Sequence, residues 1–110
     1  MTGPRPEPRI DRTYLAEQAA GDMDLVAELL GLFADQCDRL LPVIADATGD
    51  PSVRADAAHT LKGSAAGVGA GEIRALCEEI ETRLRAGAEP GIAPLREAVA
   101  RARAEIADAA

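Results

Sequence analysis

Ala57-Ala58-His59-Thr60-Leu61-Lys62-Gly63-Ser64-Ala65-Ala66-Gly67-Val68-Gly69-Ala70 holds the only histidine in a chain of 110 residues. It places Gly63 and Gly67 in what otherwise reads as an alanine-rich helix. Each interior glycine costs about 1 kcal/mol against alanine, so something other than helix stability has chosen them. On a helical wheel Val53, Ala57, Leu61, Ser64 or Ala65, and Val68 form the core side. His59 stands two residues from both Ala57 and Leu61, about 200° away from each, and so points outward. Its row of neighbours comprises Ala55, Asp56, Lys62 and Gly63, extended by Ser52 and Ala66. Gly67 lies near the helix exit with Gly69 and Gly71, where termination and close packing account for it.

The rest of the chain supplies partners for this helix. Asp50-Pro51 is a cap followed by proline at the first helical position, which starts the helix and predicts a span of about 51–67. Upstream, Asp22 caps a helix whose apolar stripe is Leu25, Leu29, Leu32, Phe33, Cys37, Leu40, Leu41 and Ile44. Pro42 falls inside it and predicts a kink or a break near 38–42. Before that, Asp11 caps a short helix over about 12–19, ended by Gly21. Downstream, a helix over about 71–86 buries Ile73, Leu76, Cys77, Ile80 and Leu84, with Gly87 closing it, and one over about 91–108 buries Ile92, Leu95, Val99, Ala102 and Ile106. Pro4, Pro6 and Pro8 exclude a helix from residues 1–10, read as a flexible leader. The expected fold is therefore all-α: an antiparallel four-helix bundle with a short additional N-terminal helix, occupying 11–110 as one domain.

Composition agrees and excludes much else. Hydrophobic residues make up 47% but aromatics only 2%, so the core is Leu, Ile, Val and Ala, which suits closely packed helices. The net charge is −7. Residues 50–70 are neutral, with two acids and two bases, inside an acidic protein. No basic face is present for nucleic acid. No apolar run is long enough to span a bilayer, and the N-terminus lacks the apolar region of a signal peptide, so the expected setting is cytoplasmic. Cys37 and Cys77 read as reduced core residues, and two Cys with one His at these spacings do not make a metal site. A start at methionine and an end soon after the last helix favour a free-standing protein over an excised kinase domain, and a monomer is expected.

The outward strip has a chemical reading. An exposed imidazole serves as nucleophile, proton carrier or ligand. Gly63 removes a side chain one turn away, and Lys62 brings an ammonium near any anion built on the ring, an attraction of about 1–4 kcal/mol at a partly exposed site. Such a strip suits a histidine that takes a phosphoryl group from a partner too large to enter a pocket. The plainer alternative is an ordinary surface histidine beside a solvated lysine and a packing glycine.

His59-Thr60-Leu61-Lys62-Gly63-Ser64, followed by Gly69-Ala70, resembles the signature of histidine-containing phosphotransfer (HPt) domains, the carriers of multistep two-component phosphorelays. Ile73 to Glu81 resembles the family's next helix, and Leu32-Phe33 through Ile44 the preceding one. The resemblance implies that His59 accepts the phosphoryl group from a receiver-domain aspartate and passes it to another receiver, that Lys62 steadies it, and that Gly63 gives the receiver room. The partners implied are response-regulator receivers or a hybrid histidine kinase. The chain itself would need no cofactor, Mg²⁺ being expected on the receiver. It has no nucleotide-binding loop, so no autokinase activity is expected. Some members carry a glutamine near the histidine, and the corresponding residue here is Glu81. A carboxylate accepting from Nδ1–H would leave Nε2 as nucleophile, while a solvated glutamate is the alternative; Arg85, one turn on, would offset its charge. Tyr14, Leu15, Gln18 and Leu25 are candidates for receiver docking, with Leu29 assigned to packing. A non-catalytic module that binds receivers or kinases through the same face is the second hypothesis.

Overall fold

The computed structural model describes residues 10–108, which form five helices and no strand. They are α1 (Arg12–Gln18), α2 (Met23–Ala45), α3 (Pro51–Gly67), α4 (Gly71–Arg85) and α5 (Ala93–Asp108). Helices α2 to α5 make the antiparallel four-helix bundle, α3 packing against both α2 and α4, and α5 closing the ring against α4 and α2. The leader expected over 1–10 lies outside the described residues except for Ile10, which is buried in the core.

The caps stand where the sequence puts them. The Asp11, Asp22 and Asp50 carboxylates accept from the amides of Tyr14, Leu25 and Ser52 at 3.0, 3.1 and 2.8 Å. Each satisfies a backbone donor that the first helical turn leaves unpaired. Pro51 occupies the first turn of α3. At the other end of α3 the Ala70 amide reaches back to the Ala65 carbonyl at 2.8 Å and the Gly69 amide to that of Ala66 at 3.3 Å, with Gly69 at φ +72°. This is a Schellman closure, which a left-handed residue makes possible. Gly69 also receives the N-terminal segment: its carbonyl accepts from the Asp11 amide at 2.9 Å, and a Cβ there would sit 3.0 Å from that of Asp11. Glycine is therefore required twice, for its φ and for the approach that seats α1 on the α3–α4 turn.

Helix α2 is continuous from Met23 to Ala45 through Pro42, so the break offered as one alternative near 38–42 does not occur. Pro42 forfeits its own bond to the Asp38 carbonyl, and the helix ends three residues later. The buried stripe of α2 is Val26, Leu30, Phe33, Cys37 and Ile44, not one beginning at Leu25; Leu25 and Leu32 are exposed at 38% and 60%. The leucine-rich run offers two overlapping stripes. The one starting at Leu25 continues into polar Gln36 and Arg39, so the one starting at Val26, which continues into Cys37, turns inward. In α3, Val53 is exposed, whereas Ala55, expected outside, is fully buried.

Beside Val53, Arg54 is only 2% exposed. Its Nε donates to the Ile44 carbonyl at 2.9 Å, and its two terminal nitrogens donate to the Glu89 carboxylate at 2.8 and 2.9 Å. One guanidinium thus ties the end of α2, the start of α3 and the α4–α5 connection together, with a forked pairing that suits its planar shape. No hydrophobic periodicity announces a buried arginine. Cys37 and Cys77 are both buried free thiols, pushed up to about 11 and about 12 chiefly by burial, which makes them inert core residues.

Candidate functional site

Helix α3 buries Ala57, Ala58, Leu61 and Ala65 and leaves His59 on its outer face with its side chain 63% exposed. One turn on, a Cβ built at Gly63 would meet nothing within 4 Å. The glycine therefore serves no internal packing; it keeps open a space beside the ring. Gly67 is equally open. The expectation that close packing explains Gly67 is replaced by a continuation of the same bare strip. Thr60 and Ser64 fold their hydroxyls back onto the carbonyls of Asp56 and Thr60 at 3.0 and 3.2 Å, which keeps the strip low.

Glu81 comes from α4 to the other side of the imidazole. Both carboxylate oxygens approach His59 Nδ1, at 3.2 and 3.1 Å. The carboxylate is only 12% exposed, so it is no solvated glutamate. It is held by two cations: Lys62 Nζ donates to Oε1 at 2.9 Å, and Arg85 Nε donates to Oε2 at 3.1 Å. Arg85 continues to Asp56, its Nη2 donating to Oδ1 at 3.1 Å. The Lys62 hydrogen bond, then those from Arg85 and His59, bring the Glu81 carboxyl down to about 2 against the opposing cost of burial. An ionised carboxylate only accepts. It therefore takes the proton on Nδ1, and the neutral ring keeps its lone pair on Nε2.

The sequence-derived site thus assembles around one ring: His59, Lys62, Glu81 and Arg85 form a connected network, with Gly63 leaving its flank bare. Lys62 differs in one respect, since its ammonium already has an anion, Glu81, instead of standing free for an incoming one. Asp56 was placed in the row by spacing, but its tie to Arg85 depends on how α3 and α4 face each other. Among the described residues no cluster of three His, Cys, Asp or Glu side chains is arranged to hold a metal ion, and no helix is long and apolar enough to cross a membrane.

The docking candidates divide. Leu15 is fully buried and presents no surface. A seven-residue helix lying on the bundle must bury its one leucine, while Gln18 three residues on is exposed. Tyr14, at 38% exposure, lines a shallow depression with Ala66 and Arg74. Leu25 is accessible on α2. A further feature was missed: a groove of about 340 Å³ between α2 and α3, lined by Leu29, Leu32, Phe33 and Val68 together with Gln36, Arg39, Ser64 and Gly67. Leu29, assigned to packing, is half-buried there. The available signal was the second leucine stripe on α2 together with Gly67.

The chain is similar to the crystal structure of histidine phosphotransferase ShpA from Caulobacter crescentus, with 38% identity, a TM-score of 0.72, and coverage of 91% of this chain and 88% of that one. No curated protein matches. The family model for the Hpt domain matches residues 28–109, a span that contains the histidine, the bare strip and the whole Glu81 network, and the chain accordingly belongs to the Hpt domain family.

Proposed function

We propose that this protein is a phosphorelay carrier that accepts a phosphoryl group on His59 Nε2 from the aspartyl phosphate of a receiver domain and returns it to the aspartate of another. The observation that carries this reading is the exposed ring with Nδ1 held between the two oxygens of Glu81. The lone pair on Nε2 attacks phosphorus, the P–O bond to the aspartate breaks, and the carboxylate leaves with the electron pair. The ring, now bearing phosphorus on Nε2 and hydrogen on Nδ1, is formally cationic, and Glu81 lies against it as counter-charge. The reverse transfer returns the electron pair to Nε2. Neither direction requires a proton to move through this chain.

A carboxylate near a phosphoryl group would repel it if alone. Here Lys62 and Arg85 both contact Glu81, so the local charge is offset before the phosphoryl group arrives. The receiver supplies Mg²⁺ and its own acidic pocket. Gly63 and Gly67 let that surface close on the ring, and the groove lined by Leu29 and Leu32 offers it a seat. A cytosolic monomer suits such a role.

The test is incubation with a receiver phosphorylated on its aspartate. The wild-type chain takes the label and His59→Gln does not. Equal labelling of the variant, or receiver binding with no label on the wild type, contradicts the reading; the second result describes a non-catalytic binding module.

A further inference from the structure

The Glu81 carboxylate answers three donors at once. Lys62 pulls on Oε1 at 2.9 Å, Arg85 pulls on Oε2 at 3.0–3.1 Å, and His59 Nδ1 sits nearly midway, at 3.2 and 3.1 Å. The equal sharing of Nδ1 is the outcome of two opposed pulls. With Lys62 alone, a largely buried carboxylate would turn toward the ammonium, its strongest partner, and its second oxygen would leave the ring.

Arg85 is itself fixed from outside. It stands one helical turn after Glu81 on α4, and its Nη2 reaches across to Asp56 on α3 at 3.1 Å. Asp56 is three residues before His59, so the contacts close a circuit: α3 through Asp56 to Arg85, along α4 to Glu81, and back to α3 at His59. The guanidinium fork makes this bridge possible, since its nitrogens address Glu81 and Asp56 together in one plane.

We propose that Asp56 and Arg85 are positioning residues that act through Glu81, holding its carboxylate square to the ring so that the His59 proton is confined to Nδ1 and Nε2 is kept as the nucleophile. This rests on the reading of His59 as the phosphoryl acceptor through Nε2, and it adds a requirement that the His–Lys–Gly strip does not supply. A free histidine in water favours the proton on Nε2, the opposite tautomer, so the arrangement is one the protein must impose. Asp56 and Arg85 are both exposed, at 70% and 46%, and contribute little to folding; their contribution is orientation.

Imidazole ¹⁵N spectra of the intact, unphosphorylated chain, recorded well above the ordinary imidazole titration range near about 6.5, read the tautomer directly. No receiver is needed, so failure here is distinct from failure to accept a phosphoryl group. The wild type should show the proton on Nδ1. In Asp56→Asn the ratio of Nδ1–H to Nε2–H should fall about fivefold, the scale of an exposed ion-pair coupling, and Arg85→Gln should lower it at least as far. Arg85→Lys keeps the charge but loses the fork, so it should resemble Arg85→Gln. Backbone amide spectra of each variant establish that the bundle is intact. An unchanged ratio in Asp56→Asn or in Arg85→Gln, or a wild-type ratio in Arg85→Lys, overturns the proposal.

Discussion

Glu81 and His59 face each other across the α3–α4 interface with both carboxylate oxygens within 3.2 Å of Nδ1. The contact joins a buried anion to an exposed ring. It gives the carboxylate a titration that reports on the site: Lys62, Arg85 and His59 hold its carboxyl at about 2 instead of the ordinary 4.5. A carboxyl lowered in the folded state stabilises the fold above its unfolded value, and that contribution is lost as pH falls toward the folded value. The protein should therefore lose about 3 kcal/mol between pH of about 5 and about 2 through this group. Acid titration of urea-unfolding midpoints should show a shallower fall for Glu81→Gln than for the wild type across that window.

Gly63 separates docking from folding. A Cβ there meets open space, and alanine is the better helix former by about 1 kcal/mol. Gly63→Ala should raise the melting temperature by a few degrees, while Gly63→Gln should slow phosphoryl transfer by about tenfold or more, the effect of displacing reacting groups by an ångström or so. Thermal melts and transfer time courses on both variants test this. A large drop in melting temperature with transfer unchanged would make the glycine a packing feature.

Leu32 and Leu15 make a contrasting pair. Leu32 is 60% exposed at the groove and Leu15 is fully buried. Leu32→Glu should leave stability within about 0.5 kcal/mol and weaken receiver binding, measured by titration calorimetry. Leu15→Ala should cost about 2–5 kcal/mol in denaturant unfolding, the usual loss for a core leucine.

The Arg54–Glu89 pair should be the most sensitive polar contact in the bundle. Glu89→Ala takes both acceptors from the terminal nitrogens of a guanidinium that is 2% exposed, and should lower the unfolding midpoint. Arg54→Met, which removes the charge with the partner still able to reach water, should cost less. Unfolding midpoints of the two variants give the order, and an insensitive Glu89→Ala would mean that Ile44 and solvent satisfy the arginine unaided.

Local signals made most of this architecture legible. Asp11, Asp22, Asp50 and Pro51 mark helix starts by backbone chemistry that needs no tertiary contact, and all stand as caps or first-turn residues. The outward turn of His59 followed from Ala57 and Leu61, which are buried. Choices that depended on packing were not legible. The α2 run contains two possible stripes, and only the neighbouring helices decide that Val26 and Leu30 go in while Leu25 and Leu32 stay out. Arg54 looks like a surface residue until Glu89 and the end of α2 converge on it. The Asp56–Arg85 bridge joins residues 29 positions apart, a distance no helical period covers.

The proposed carrier holds phosphorus on one nitrogen of one residue. After transfer from a phosphorylated receiver, ¹⁵N-histidine-labelled protein can be examined for phosphorus–nitrogen coupling. Coupling to Nε2 of His59, with hydrogen retained on Nδ1, is the expected result. Coupling to Nδ1, or a labelled chain with no phosphorus–nitrogen bond, contradicts it.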